Sequence, residues 1–87
     1  MNRPEVKSTV KEYILREFLT GENPDELRDD TPLITGGILD SISTIKLVAF
    51  LEAEFGVTFQ AHEMHADYLD TIEDIASTVE GKGGVTT

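Results

Sequence analysis

The sequence predicts a small all-α domain, a four-helix bundle of three longer helices and one short helix with a long first loop. Three observations predict this fold class. The 87 residues suffice for one small domain and not for two. Apolar residues recur at helical spacing in three stretches of the chain. Glycine and proline fall between those stretches, where a helix ends or a loop turns.

The first helix is predicted to begin near Pro4, because proline is tolerated in a first helical turn. Gly21 is predicted to end it. Its apolar residues form one amphipathic stripe, namely Val6, Val10, Tyr13, Ile14 and Phe18.

A long connection follows over residues 21–40. Asparagine is favoured as a helix N-cap and proline at the first helical position, so Asn23 and Pro24 predict one helical turn. A loop of this length in a compact domain needs apolar anchors, and the sequence supplies five. These are Leu27, Leu33, Ile34, Ile38 and Leu39.

The second helix is predicted from Ser41 to Phe55, with Gly56 after its end. Its apolar residues surround most of the circumference, which is typical of a helix at the centre of a core. Leu47 and Leu51 are predicted to be core residues. Ile42 and Ala49 are better candidates for a face offered to partner proteins.

The last third of the chain is predicted as an extended connector over 57–59, a short helix over Ala61–His65 and a turn over 67–70. Asp70 or Thr71 is predicted to cap a final helix. The core stripe of that helix is Ile72, Ile75, Ala76 and Val79. Residues 1–80 are expected to form the single domain, and residues 81–87 a flexible C-terminal tail.

The net charge of −10 comes from 17 acidic and 7 basic residues. It argues against a nucleic-acid partner, since phosphate backbones select basic surfaces. No stable membrane insertion is expected either, because the chain holds no long apolar run, and a cytoplasmic monomer is predicted. Basic protein surfaces are the natural complement of such a charge. The alternative is that the charge only keeps a small domain soluble.

Ser41 follows a glycine pair, two apolar residues and Asp40. Glycine permits a tight backbone path with positive φ, and Asp40 is a good candidate for the cap of the second helix. The Ser41 hydroxyl is then expected on the surface at the positive end of that helix. A phosphate ester would be stabilised there.

The stretch Leu39-Asp40-Ser41-Ile42 leads into Leu47, Leu51, Glu52, Phe55 and Gly56, and it resembles the phosphopantetheine attachment region of acyl and peptidyl carrier proteins. The resemblance extends from about Val6 to Val79. It implies that Ser41 bears a 4′-phosphopantetheine taken from coenzyme A and that the protein is a non-catalytic carrier of thioesters.

The resemblance also implies partners: a phosphopantetheinyl transferase, a loading ligase or synthase, and downstream acyl-transfer enzymes. Asp40 belongs to the motif as the helix cap. The residues expected to contact these partners are Leu39, Ile42, Lys46, Ala49 and Glu52.

Some features depart from the fatty-acid carriers of this family. Ser43 and Lys46 stand where those carriers tend to have acids, Ile42 replaces the commoner leucine, and the segment 60–70 looks slightly longer. The second helix is more similar to that of D-alanyl and aminoacyl carriers. A dedicated lipid, polyketide or nonribosomal-peptide-type pathway is therefore preferred over the housekeeping fatty-acid synthesis carrier.

Two other classes of function stay open at this stage. One is a carrier-like interaction protein whose serine is unmodified. The other is a small enzyme, in which Ser41 would need a histidine base; nothing marks His62 or His65 as facing it, and the G-x-S-x-G motif is absent. A metal site at His62, Glu63 and His65 is not expected, because the H-E-x-x-H spacing is missing.

Overall fold

The computed structural model describes residues 3–19 and 27–83. Within these ranges the chain forms four α-helices and one 3-10 turn, and it contains no strand. The elements are α1 (Arg3–Glu17), α2 (Ser41–Phe55), the 3-10 turn (Ala61–Glu63), α3 (Ala66–Leu69) and α4 (Ile72–Gly81). The predicted all-α bundle of three longer helices and one short helix is confirmed.

The core is built from the apolar stripes that the sequence spacing predicted. Val6, Val10 and Ile14 of α1 are completely buried, as are Ile72, Ile75, Ala76 and Val79 of α4. Helices α1 and α4 pack against each other, and α3 packs against α4. Burial of such side chains is the main favourable contribution to the stability of a domain of this size.

Helix α2 has the predicted bounds. It ends at Gly56, whose φ of 67° lies in the left-handed region that favours glycine. Leu47 and Leu51 are fully buried, as predicted. The helix also contacts α1 through Tyr13, whose ring stacks on Phe50 with 4.0 Å between the centroids.

The long connection is described from Leu27 onward. Leu27, Leu33 and Leu39 are buried, and Ile34 and Ile38 are partly buried against the core, so the five predicted anchors are confirmed. Helix α1 ends at Glu17, a few residues before the Gly21 that was predicted to end it. The predicted turn at Asn23 and Pro24 lies outside the described residues.

Two predictions for the last third of the chain are wrong. The short helix predicted at Ala61–His65 is only a 3-10 turn at Ala61–Glu63, and the turn predicted at 67–70 is mostly the helix α3. His65 explains the shift, because its Nδ1 accepts a hydrogen bond from the backbone N–H of Asp67 at 3.2 Å and caps α3. A histidine cap is not among the standard sequence signals for a helix start.

Helix α4 extends one residue past residue 80, the predicted end of the domain. Gly81 belongs to α4. The ammonium group of Lys82 contacts the carboxylate of Glu63 at 2.7 Å and lies 4.9 Å from the centre of the Phe59 ring. The first residues of the predicted tail therefore hold the 3-10 turn in place.

Basic side chains of α1 pair with acidic side chains of α4 and of the long loop. Arg3 contacts Glu73 and Glu80 of α4, each at 2.8 Å. Lys7 contacts Asp29 of the long loop at 3.2 Å and also pairs with Glu73. These ion pairs connect α1, α4 and the loop, and they offset part of the acidic charge at one side of the bundle. None of the described helices has the length and hydropathy needed to traverse a bilayer.

Candidate attachment site

The N-terminus of α2 is capped by Asp40, as the sequence predicted. The residue has an extended backbone, and its carboxylate accepts a hydrogen bond from the backbone N–H of Ser43 at 2.7 Å. The carbonyl oxygen of Asp40 accepts from the backbone N–H and the hydroxyl of Thr44, at 2.9 and 2.8 Å. The bond from the Ser43 N–H lowers the pKa of the Asp40 carboxyl, so Asp40 is ionised at neutral pH.

Ser41 is the first residue of α2, and its side chain is exposed. The free N–H groups and the dipole of a 15-residue helix make this position favourable for a negatively charged group. The first turn of the helix contains no acidic residue, and the carboxylate of the adjacent Asp40 is held by the backbone N–H of Ser43. An exposed hydroxyl at this end of a helix fits a phosphodiester-linked group.

The two glycines before the site serve different purposes. Gly37 has a φ of 84°, a backbone conformation that residues other than glycine rarely adopt. Gly36 has no positive φ, but a Cβ atom at that position would lie 2.2 Å from the carbonyl oxygen of Pro32. The prediction of positive φ is therefore confirmed for Gly37, and Gly36 is required by a close backbone approach instead.

A groove of about 550 Å³ lies beside Ser41. Its walls come from the long loop, the first turns of α2 and the segment before α3. The lining residues are Ile34, Leu39, Asp40, Ser41, Thr44, Ile45, Met64 and His65. The sequence did not predict Met64 beside Ser41, because only tertiary packing brings residues so distant in the chain together.

The five residues predicted to contact partners differ in how exposed they are. Ile42 is 66% exposed, and Lys46 and Ala49 are also exposed on α2. Leu39, in contrast, is only 2% exposed. Its side chain anchors the loop and is not available on the surface, where a residue that contacts partners was expected. Ile45 is 56% exposed beside Ile42 and was missed, since helical spacing alone does not distinguish it from a core residue.

Glu52 is also engaged within the fold. Its carboxylate accepts a hydrogen bond from the backbone N–H of Phe59 at 2.9 Å, and the residue is only partly exposed. It therefore fixes the connector after α2, and its contact with partners stays a prediction.

The histidines contribute no catalytic arrangement among the residues that the structure describes. His65 lines the groove, yet no hydrogen bond joins it to Ser41 in this part of the chain; its Nδ1 caps α3. His62 lies edge-on to the Tyr68 ring. The described ranges hold no group of three acidic or histidine side chains suited to a metal ion.

Comparison with known proteins now identifies the family. A family model described as "Phosphopantetheine attachment site" matches residues 10–79, which include the cap, Ser41 and the groove. The chain belongs to the phosphopantetheine-binding carrier proteins. Membership implies a covalently bound 4′-phosphopantetheine, and the protein functions as a carrier of that type.

Carrier proteins of other bacteria are similar to this chain over most of their length. The chain is 35% identical over 75 residues to a D-alanyl carrier protein of Lactococcus lactis subsp. lactis, covering 84% of this chain and 95% of the relative. It is 32% identical over 75 residues to a D-alanyl carrier protein of Streptococcus suis, with 86% and 91% covered. An acyl carrier protein of Bdellovibrio bacteriovorus is 31% identical over 74 residues, with 85% and 90% covered.

Proposed function

We propose that Ser41 holds the 4′-phosphopantetheine and that this protein is a free-standing, non-catalytic carrier of acyl or aminoacyl groups. The observation that carries the proposal is the position of Ser41. Its exposed hydroxyl is on the first residue of α2, directly after the capping Asp40 and beside the groove. This position lies within the residues that match the attachment-site family.

The surroundings of Ser41 suit a phosphodiester. Asp40 fixes the start of α2, and the positive end of the helix stabilises the negative charge of a phosphodiester on Ser41. When bound, the prosthetic group supplies a terminal thiol that holds the carried group as a thioester. Because the carried group is tethered, its effective concentration at a docked enzyme is high without tight binding.

The exposed side of α2 is the surface we assign to partner enzymes. We define the outer face of α2 as Ile42, Ile45, Lys46 and Ala49, all of which are exposed. Ile42 and Ile45 are more than half exposed one turn apart on this helix, and an exposed apolar patch of this kind favours a protein-contact surface. The proposed partners are a phosphopantetheinyl transferase, a loading ligase or synthase, and downstream acyl-transfer enzymes.

For the pathway, we propose a dedicated one with its own loading ligase or synthase. Two observations favour it over housekeeping fatty-acid synthesis. The first turn of α2 has no acidic residue, and Lys46 adds a positive charge to the outer face. D-alanyl carrier proteins are among the relatives, at 32–35% identity.

Intact-mass spectrometry tests the attachment site. The protein is incubated with coenzyme A and a broad-specificity phosphopantetheinyl transferase, alongside Ser41→Ala and the matched control Ser43→Ala. We expect one phosphopantetheine on the parent and on Ser43→Ala, and none on Ser41→Ala, with unchanged helical circular dichroism in all three. A folded parent that stays unmodified while a reference carrier is modified would favour the unmodified interaction protein.

A loading assay tests the cargo class. The phosphopantetheine-bearing protein is offered to an amino-acid-activating ligase that serves a D-alanyl carrier protein, and separately to a fatty-acyl synthetase. Loading by the ligase alone, seen as a mass gain that hydroxylamine removes, supports the dedicated pathway. Loading by the fatty-acyl synthetase alone contradicts it and favours the housekeeping alternative.

A further inference from the structure

Asp70 binds the loop that precedes the attachment site. It lies between α3 and α4, far from Ser41 in the sequence, yet its carboxylate accepts three hydrogen bonds from the loop. These come from the backbone N–H of Ile34 at 2.9 Å, the backbone N–H of Thr35 at 2.8 Å and the hydroxyl of Thr35 at 2.8 Å. Its carbonyl oxygen accepts a fourth bond, from the N–H of Leu33 at 2.6 Å.

The carboxylate of Asp70 is not needed for the helix that follows it. The cap of α4 is Thr71, whose hydroxyl oxygen accepts a hydrogen bond from the backbone N–H of Asp74 at 2.9 Å. Nor does Thr35 need a protein acceptor to satisfy its backbone N–H, because Thr35 is exposed and water could serve. The bonds to Asp70 therefore do more than satisfy donors: they fix the position of the loop.

The fixed loop leads directly into the attachment site. The backbone N–H of Leu39 donates to the carbonyl oxygen of Leu33 at 2.8 Å, which closes the segment 33–39 on itself. Leu33 and Leu39 are both buried, so the closed segment is anchored at its two ends. Asp40 and Ser41 follow immediately, and Ile34 lines the same groove as Ser41.

We propose that Asp70 is a positioning residue for the modification of Ser41. By holding residues 33–35, it keeps the loop wall of the groove in a fixed relation to Ser41, so that the transferase meets one preformed surface. This inference rests on the proposed function, since it requires Ser41 to be the attachment residue. The pKa of the Asp70 carboxyl is lowered, chiefly by the hydrogen bond from the Thr35 N–H, so the carboxylate is ionised at neutral pH.

The test is the kinetics of phosphopantetheine transfer from coenzyme A, at a temperature well below the unfolding midpoint of every variant. For Asp70→Ala we expect kcat/KM to fall by about tenfold, because small misplacements of a recognised surface are costly. The change should appear in KM, since Ser41 itself stays on a helix that Asp40 still caps. Asp70→Asn should return kcat/KM to within about threefold of the parent, because an amide can accept from both N–H groups and donate to the hydroxyl.

Asp67→Ala is the matched control. It removes the same charge from the neighbouring helix α3, but the Asp67 side chain is 85% exposed and makes no bond to the part of the loop that the structure describes. We therefore expect KM to equal that of the parent. An Asp70→Ala variant with parental KM, even if it unfolds at a lower temperature, would overturn the inference. So would an equal rise in KM for Asp67→Ala, which would show an effect of charge alone.

A milder variant decides the matter if Asp70→Ala does not fold. Thr35→Ala removes only the bond between the hydroxyl and Asp70, and we expect KM to rise by about twofold. Parental KM for Thr35→Ala, with Asp70→Ala unfolded, contradicts the inference. If the parent itself accepts no phosphopantetheine, the proposed function fails and the inference with it, an outcome distinct from a modified parent with unaffected Asp70 variants.

Discussion

Both faces of α2 carry large apolar side chains, but only one of these faces belongs to the core. On the inner face, Leu47 and Leu51 are fully buried. On the outer face, Ile42 and Ile45 are 66% and 56% exposed. Burying a leucine side chain contributes about 1.5–3 kcal/mol, a gain that the exposed isoleucines largely forgo. Hydrophobicity on this helix serves folding on the inner face, and we propose that it serves recognition on the outer face.

The largest effect on stability should come from a substitution on the inner face. We expect Leu47→Ala to lower the free energy of unfolding by about 2–5 kcal/mol, because it removes a buried side chain and leaves a cavity. Urea unfolding followed by circular dichroism measures this loss. A value within about 0.5 kcal/mol of the parent would mean that the two faces do not differ as described.

The end of α2 should be less sensitive. Gly56→Ala places a Cβ atom on a residue with a φ of 67°, which we expect to cost about 1 kcal/mol in the same unfolding experiment. Gly81→Ala is the matched control, because Gly81 lies in helical backbone with open space around it. That variant should be as stable as the parent or slightly more stable.

The cap of α2 should add a pH-dependent contribution. The pKa of Asp40 is lowered by the hydrogen bond from the Ser43 N–H, so its stabilising effect is complete above the unfolded value of 3.8 and is lost as the pH falls through the lower folded value. Asp40→Asn keeps a capping side chain but cannot titrate.

Thermal unfolding between neutral and acidic pH checks this prediction. The difference in midpoint between the parent and Asp40→Asn should shrink as the pH falls through the folded pKa of Asp40, while Asp40→Ala should be less stable than both at neutral pH by a few degrees. A constant difference between the parent and Asp40→Asn at all pH values would show that ionisation of Asp40 does not contribute.

The smallest effect on stability should come from the outer face. We expect Ile45→Ala to change the free energy of unfolding by no more than about 0.5 kcal/mol, because the side chain is mostly exposed. Its kcat/KM in phosphopantetheine transfer should nevertheless fall by about fivefold, equivalent to roughly 1 kcal/mol of lost contact with the enzyme. Unchanged transfer kinetics would remove Ile45 from the surface that the transferase uses.

The sequence predicted the helices best where local signals are strong. The bounds of α2 could be predicted because Asp40 and Gly56 are standard cap residues at its two ends. The short elements between 61 and 70 could not, since their start depends on a histidine that accepts a backbone hydrogen bond. Ser41 is predicted from its motif, whereas the motif alone does not show that Leu39 is buried, because an apolar residue beside a motif can anchor a loop equally well.

By itself, the sequence determined the fold class, the cap of α2 and the exposed position of Ser41, because each depends on residues close together in the chain. Only the tertiary structure decided which apolar residues of α2 are covered, and which distant residues meet the attachment site. Met64 and His65 reach the groove, and Asp70 reaches Ile34 and Thr35, only when the bundle has closed. Such contacts depend on how helices pack, and helical periodicity does not specify them.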